Sequence, residues 1–191
     1  MAKRLDQSQI KTCLKYKPDF MRVQEATGVP WEAVCAVWYR ESFRVAVPKT
    51  LGGQFQFDPP PPDNQLHFLL DHYSNLTAAQ KADIVARGVN DFKAAMFLAA
   101  CHGRHHCNPK ITPQATDAEI KDFFWGYNGK AFGAADKSNY VMNNFDKAHE
   151  NMMIRGTIPD ESAPNGRRRI ETTDMRPGAF TVYKQLKGEL V

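Results

Sequence analysis

Glu41 is an acidic side chain at a position where the sequence pattern favours an apolar one. The apolar residues before it have the i, i+3, i+4, i+7 spacing of one buried helix face: Trp31, Val34, Cys35 and Trp38. Glu41 continues this face three residues after Trp38. A carboxyl group buried beside tryptophan rings has a raised pKa, which suits a general acid at neutral pH. The alternative is that the helix frays and Glu41 turns to solvent or pairs with Arg40 or Arg44.

A second pattern follows at Gly53–Phe57, where two glutamines alternate with two phenylalanines before a run of prolines. Period-two alternation predicts a short strand or hairpin region near residues 52–58. Its phenylalanines would face the core, and Gln54 and Gln56 could hydrogen-bond a polar ligand on the other side. An edge strand with solvated glutamines fits the pattern equally well. Asp58, directly after this stretch, supplies a second carboxylate.

A third candidate is Tyr127-Asn128-Gly129, which follows a helix rich in aromatic residues. Asn-Gly alone indicates only a turn, because both residues tolerate positive φ. The order of the three pieces is more informative: an acid at a helix end, a Gly and Gln segment, then a Tyr-Asn turn.

In this order the chain resembles the lysozyme-like superfamily, in particular lytic transglycosylases, goose-type lysozymes and globular bacteriophage endolysins. Glu41-Ser42 resembles the catalytic glutamate and serine that close a buried helix. Gly53 and Gln56 match the G-x-x-Q segment, and Tyr127-Asn128 matches the later Tyr-Asn motif. The resemblance spans about residues 20–153. The chain departs from the family pattern in its short gap between Glu41 and Gly53, and in having Gln54-Phe55 where Leu-Met is usual.

The resemblance implies cleavage of the β-1,4 bond between N-acetylmuramic acid and N-acetylglucosamine in peptidoglycan. Glu41 would protonate the leaving oxygen. Asp58 would act on water or on the sugar; alternatively, the 6-hydroxyl of the muramic acid would attack, as in transglycosylases, with Glu41 as both acid and base. The residues expected to bind the sugars are Ser42, Gln56, Tyr127, Asn128 and Tyr140.

The remaining sequence predicts a mainly α, α+β lysozyme-like fold of about eight helices in a single domain, residues 1–191. Thr77–Gln80 and Thr116–Glu119 have the capping-box pattern that begins a helix. Asn90 is expected to cap a buried helix that ends near Gly103, and Ser138 to begin a helix reaching Met152. Residues 157–175 contain prolines, glycine and three consecutive arginines, and are predicted to be a mobile surface loop.

Composition narrows the classes of partner. A net charge of +4 is too small to indicate nucleic-acid binding, and no apolar run is long enough to span a bilayer, so no stable membrane insertion is expected. The start of the chain lacks a secretory signal pattern. We therefore expect synthesis in the cytoplasm and action on the periplasmic wall after holin-type release or as part of a phage particle. The partner expected is the peptidoglycan glycan strand, bound by a monomer.

The cluster from Cys101 to Cys107 contains two cysteines and three histidines, His102, His105 and His106. Thiolates and imidazoles bind zinc, but paired C-x2-C spacing is missing, and histidines near a helix C-terminus also complement its dipole. We predict no metal and no cofactor, with all four cysteines reduced. Two rival functions are an inert glycan-binding domain and an interaction domain organised by a metal at this cluster.

Overall fold

The computed structural model describes residues 4–42, 55, 61–108, 110–130, 133–159, 162, 167–174 and 176–189. Within these ranges the chain is mainly α-helical, as predicted, with nine α-helices and one antiparallel pair of strands. The helices are α1 Gln7–Lys15, α2 Lys17–Thr27, α3 Trp31–Ser42, α4 Asp63–Tyr73, α5 Ala78–Arg87, α6 Phe92–His106, α7 Asp117–Tyr127, α8 Asn139–Met142 and α9 Ala179–Leu186. None of the described helices combines the length and apolar character needed to cross a bilayer.

Local capping signals set several helix boundaries. The predicted capping boxes are present, with Thr77 and Thr116 each accepting a hydrogen bond from the backbone N–H three residues later. The cap of α6 is Asp91, whose carboxylate accepts from Ala94 N–H at 2.9 Å, so the prediction of Asn90 is wrong by one residue. A carboxylate at this position also complements the helix dipole.

Gly103 does not end α6, as was predicted from its type. The helix continues to His106, and Gly103 is buried where α6 meets α7. A Cβ atom on Gly103 would lie 2.3 Å from the Phe123 ring. The glycine therefore permits a close approach of two helices and is not a helix stop.

Helix α3 lies at the centre of the core and packs against α2, α6 and α9. From Trp31 to Arg40 every residue except Glu32 is buried. Trp38 meets the rings of Phe20 and Phe92 with centroid distances of 5.9 Å and 5.2 Å. The sequence pattern indicated one buried face, whereas α3 is enclosed on nearly all sides until its last turn.

Two strands, β1 Met153–Pro159 and β2 Arg167–Thr173, pair antiparallel within the segment predicted as a loop. The loop prediction for residues 157–175 is therefore wrong over 157–159 and 167–173. The prediction of a helix from Ser138 to Met152 is also wrong, because α8 ends at Met142 and turns and a short 3₁₀ helix, Lys147–His149, follow before β1. The hairpin closes at its base through Asp174 N–H, which donates to the Met152 carbonyl at 2.8 Å.

The strand expected near residues 52–58 lies outside the described residues except at Phe55. That residue is buried, stacks on Phe92 with a centroid distance of 6.4 Å, and lies in a 3₁₀ turn. The strand prediction is wrong at this position. Alternation of residue types indicates which side chains share a face, but it does not supply the pairing partner that a strand needs.

Candidate active site

Glu41 lies in the last turn of α3, half-buried at the point where the helix leaves the core. Burial raises the pKa of its carboxyl group, because the charged form loses its hydration. The Tyr140 hydroxyl and the Arg40 and Arg176 charges act in the opposite direction, but the pKa stays above the ordinary value. The structure thus favours a protonated Glu41 more than water does, which is the state a proton donor needs.

Two tyrosines interact with this carboxyl group. Tyr140, from α8, is buried. Within the described part of the chain its hydroxyl meets no partner at full hydrogen-bond geometry, but it is close enough to Glu41 to lower the pKa of that carboxyl group. Tyr127, at the end of α7, donates from its hydroxyl to the Phe55 carbonyl at 3.4 Å. The pKa of both phenols lies well above the usual value; burial is the main cause and the negative charge of Glu41 is the second. Both therefore remain neutral hydroxyl groups at physiological pH.

The structure thus brings together members of all three sequence pieces. Glu41 ends α3, Phe55 belongs to the Gly and Gln segment, and Tyr127 belongs to the Tyr-Asn turn. Phe55 and Tyr127 are separated by 72 positions, and their contact brings Phe55 beside the tyrosine whose pKa the Glu41 charge raises. Gln56 and Asp58 lie outside the described residues, so their predicted roles stay predictions.

Asn128 caps the C-terminus of α7. Its backbone N–H donates to the Phe124 carbonyl at 3.1 Å, and Gly129 follows at φ 68°, as the Asn-Gly turn predicted. The Asn128 side chain is half-exposed beside Tyr127. Its contact with sugar stays a prediction.

Ser42, the last residue of α3, lies beside a separate cavity. It lines a cavity of about 200 Å³ between α1 and α3, together with Gln9, Thr12, Trp38 and Tyr39. Ligand sites usually occupy about 300–1,000 Å³. This cavity is small for an acetamido sugar, and the contact of Ser42 with sugar stays a prediction.

A buried polar cluster beside Glu41 was not found from the sequence. Arg40 is 1% exposed and forms an ion pair with Asp174, which is 3% exposed. Arg40 also donates to the carbonyl groups of Arg176 and Pro177, at 3.2 Å and 3.3 Å. Arg176 in turn donates from Nη1 to the Arg40 carbonyl at 3.3 Å and from Nε to Asp174 Oδ1 at 3.2 Å. The segment after the hairpin is therefore tied to the residue that precedes Glu41.

The charge on Asp174 is maintained by this cluster. Burial alone would raise its pKa, but the charge and hydrogen bond of Arg40, with smaller contributions from Arg176, hold the pKa below its ordinary value. Asn143 supports the same segment by donating to the Asp174 and Arg176 carbonyl groups, at 2.8 Å and 2.5 Å. The Arg40 guanidinium also lies 5.3 Å from the centre of the Tyr140 ring. One network thus reaches both Glu41 and the tyrosine beside it.

No family model, curated protein or solved structure matches this chain. Its functional interpretation therefore depends on its own geometry and on the resemblance of its motifs.

The Cys101 to Cys107 cluster has structural contacts of its own. Within the described residues, no three His, Cys, Asp or Glu side chains lie close enough together to hold a metal ion. The His105 ring nitrogen Nδ1 is 2.9 Å from the Tyr73 hydroxyl, and the His102 ring packs on Tyr127 with a centroid distance of 5.5 Å. Burial lowers the pKa of His102 to about 4, with help from the neighbouring histidines. At neutral pH, His102 is thus an uncharged packing partner of Tyr127.

Proposed function

We propose that this chain is a peptidoglycan-cleaving glycosidase of the lysozyme type, with Glu41 as its general acid. The observation that carries the proposal is a carboxyl group with a raised pKa at the end of a buried helix, interacting with two tyrosines. Glycosidases need a carboxylic acid that stays protonated until it delivers its proton to the leaving oxygen. The resemblance of the Glu41-Ser42, Gly53/Gln56 and Tyr127-Asn128 motifs to the lysozyme-like superfamily supports peptidoglycan as the substrate.

In this proposal Glu41 donates its proton to the oxygen of the β-1,4 bond between N-acetylmuramic acid and N-acetylglucosamine. Tyr140, as a neutral hydroxyl, donates a hydrogen bond to the sugars or to the departing oxygen, and Tyr127, whose hydrogen points to the Phe55 carbonyl, accepts one from a sugar hydroxyl. Arg40, Asp174 and Arg176 hold the last turn of α3 in place while this happens. The monomer acts on glycan strands of the periplasmic wall.

A lytic transglycosylase is the second candidate, and the pKa of Glu41 favours it as well. A carboxyl group with a raised pKa can first donate a proton and then, as the carboxylate, accept one from the muramic acid 6-hydroxyl. In that reaction the second group is the substrate itself. In the hydrolytic reaction it is Asp58, which would activate water or attack the sugar.

A zymogram on purified peptidoglycan, followed by mass spectrometry of the products, tests the proposal. Anhydro ends lack one water relative to hydrolysed ends, so the masses distinguish the two reactions. Clearing by the wild type and none by Glu41→Gln is the expected result. If the folded wild type binds the wall and leaves it intact, the chain is a glycan-binding domain and the proposal fails.

Glu32 offers a matched control on the same helix. It is also a half-buried glutamate whose pKa is raised by burial, but it lies in the first turn of α3, at the opposite end of the helix from Glu41. Glu32→Gln should keep wall-clearing activity within about threefold of the wild type, because surface-proximal substitutions away from a site have small effects. Equal losses in Glu32→Gln and Glu41→Gln would indicate damage to α3 and not loss of an acid.

A further inference from the structure

Helix α1 is a peripheral helix with a single fully buried side chain, Cys13. Its other residues are exposed or half-buried, and Leu14 is 44% exposed. A helix with so little buried surface opens more readily than the core helices. The attachment of α1 therefore depends strongly on the surroundings of one thiol.

Those surroundings lie on α3. The Tyr16 ring contacts the Trp38 ring edge-on with a centroid distance of 5.6 Å, and Gln9 and Thr12 share their cavity with Trp38 and Tyr39. Cys13 lies on α1 beside Thr12 and Tyr16, and Cys35 lies on α3 one turn before Trp38 and Tyr39, so both face this contact between the helices, and each thiol perturbs the pKa of the other. Both cysteines are fully shielded from solvent. Two free thiols from different helices thus meet inside the core.

The two thiols differ in acidity. The Cys35 thiol lowers the pKa of Cys13, whereas burial raises the pKa of Cys35 well above its usual value. Burial also raises the pKa of Cys101 and Cys107 to about 12. Because the thiolate is the nucleophile in disulfide exchange, Cys13 is the cysteine best suited to begin the reaction.

We propose that Cys13 and Cys35 form a disulfide bond when the protein meets a disulfide oxidant, and that this bond fastens α1 to α3. The Cys13 thiolate attacks the oxidant's disulfide and releases one thiolate. The Cys35 thiol then loses its proton and attacks the mixed disulfide at the Cys13 sulfur, releasing the second thiolate. Two protein thiols are oxidised and one oxidant disulfide is reduced to two thiols. Transient opening of α1 gives the oxidant access.

The inference does not depend on glycosidase activity, since it needs only the two thiols and an oxidant. It has a consequence for the proposed site, because α1 covers the part of α3 that precedes Glu41. A bond between residues 13 and 35 closes a loop of about 20 residues and should raise Tm by about 5–10 °C. The reduced protein would gain this stabilisation on reaching an oxidising compartment.

The test is to incubate the reduced full-length protein with oxidised glutathione, denature it without reductant, alkylate it and measure its intact mass. The reduced protein should take up four labels, one for each cysteine. The oxidised protein should take up two, and peptide mapping should link the peptide containing Cys13 to the one containing Cys35. A map that links other cysteines, or four labels after oxidation, would overturn the proposal.

Single variants make the assignment independent of the map. Cys101→Ser should still lose two labelled thiols on oxidation and show the rise in Tm. Cys13→Ser, with three cysteines, should keep all three labels and show no rise. Loss of two labels in Cys13→Ser would also contradict the proposal. If Cys13→Ser does not fold, the peptide map of the oxidised wild type alone shows which cysteines are linked.

Discussion

Replacing Arg176 with glutamine should shift the pH dependence of wall cleavage toward alkaline pH. Burial raises the pKa of Glu41, and the Arg176 charge is one of the contributions that oppose this rise. Removing the charge should raise the pKa further. A general acid loses activity as the pH rises through its pKa, so the alkaline limb of the pH–rate profile should move upward. Glutamine can still donate a hydrogen bond to Asp174, which limits rearrangement.

The size of the effect can be bounded from Coulomb's law and from the exposure of Arg176. Two unit charges about 7 Å apart interact by about 0.6 kcal/mol in bulk water and about 2.4 kcal/mol at an effective dielectric constant of 20. The Arg176 side chain is 31% exposed, so solvent screens it and the lower part of this range applies. We compare the ratio of variant activity to wild-type activity at two pH values. This ratio should be about threefold to tenfold higher on the alkaline limb than at acidic pH.

The assay is the rate of turbidity loss of a dilute peptidoglycan suspension, measured from acidic to alkaline pH at constant ionic strength. Arg168→Gln is the matched control, because it removes an equal charge from an exposed position on β2. It corrects for the altered attraction between enzyme and wall. If the alkaline limb of Arg176→Gln coincides with that of Arg168→Gln, or lies at lower pH, the electrostatic reasoning about Glu41 is refuted.

Three further predictions concern stability. Burial raises the pKa of Glu41, so the folded state loses stability as the pH rises from the pKa of the unfolded chain through that of the folded protein. Calorimetry at pH 7 should therefore show that Glu41→Gln unfolds at a higher temperature than the wild type. This difference should shrink in acid. Asp174→Asn leaves the Arg40 charge buried without its partner and should cost about 3–5 kcal/mol, measured by urea unfolding at neutral pH. The wild type should lose the stabilisation by Asp174 as the pH falls through the lowered pKa of this group, so its difference from Asp174→Asn should narrow in acid. Gly103→Ala places a methyl group against the Phe123 ring and should cost about 1–3 kcal/mol; an unchanged urea midpoint would show that α6 and α7 separate freely.

The helices could be predicted from the sequence because their signals are local. The Thr77 and Thr116 capping boxes lie within four residues of the turns that they begin, and Gly28 ends α2 at a φ of 75°. The hairpin was missed for the opposite reason. Strand pairing depends on a partner elsewhere in the chain, and the arginine run of β2 suggested a solvated turn.

The candidate site was predictable in part. The helical spacing from Trp31 to Trp38 located Glu41 at the end of the buried helix, and the motif order linked it to Tyr127. Nothing local indicated that Arg40 is buried, since its partner Asp174 lies 134 positions away. An arginine among apolar residues directly before a candidate acid was the available signal, but the sequence suggested Arg40 only as an alternative ion-pair partner of Glu41.

Asp174 provides a test that separates electrostatics from distortion at Glu41. A buried ion pair adds little stability compared with an apolar pair of the same volume, so stability alone does not explain its presence one residue before the acid. Its negative charge offsets two arginines, both of which lower the pKa of Glu41. In Asp174→Asn that compensation is lost, the pKa of Glu41 should fall, and the alkaline limb should move to lower pH. Arg176→Gln should move it the other way. Movement of both variants in the same direction would mean that the cluster acts on Glu41 through the backbone of α3 and not through its charges.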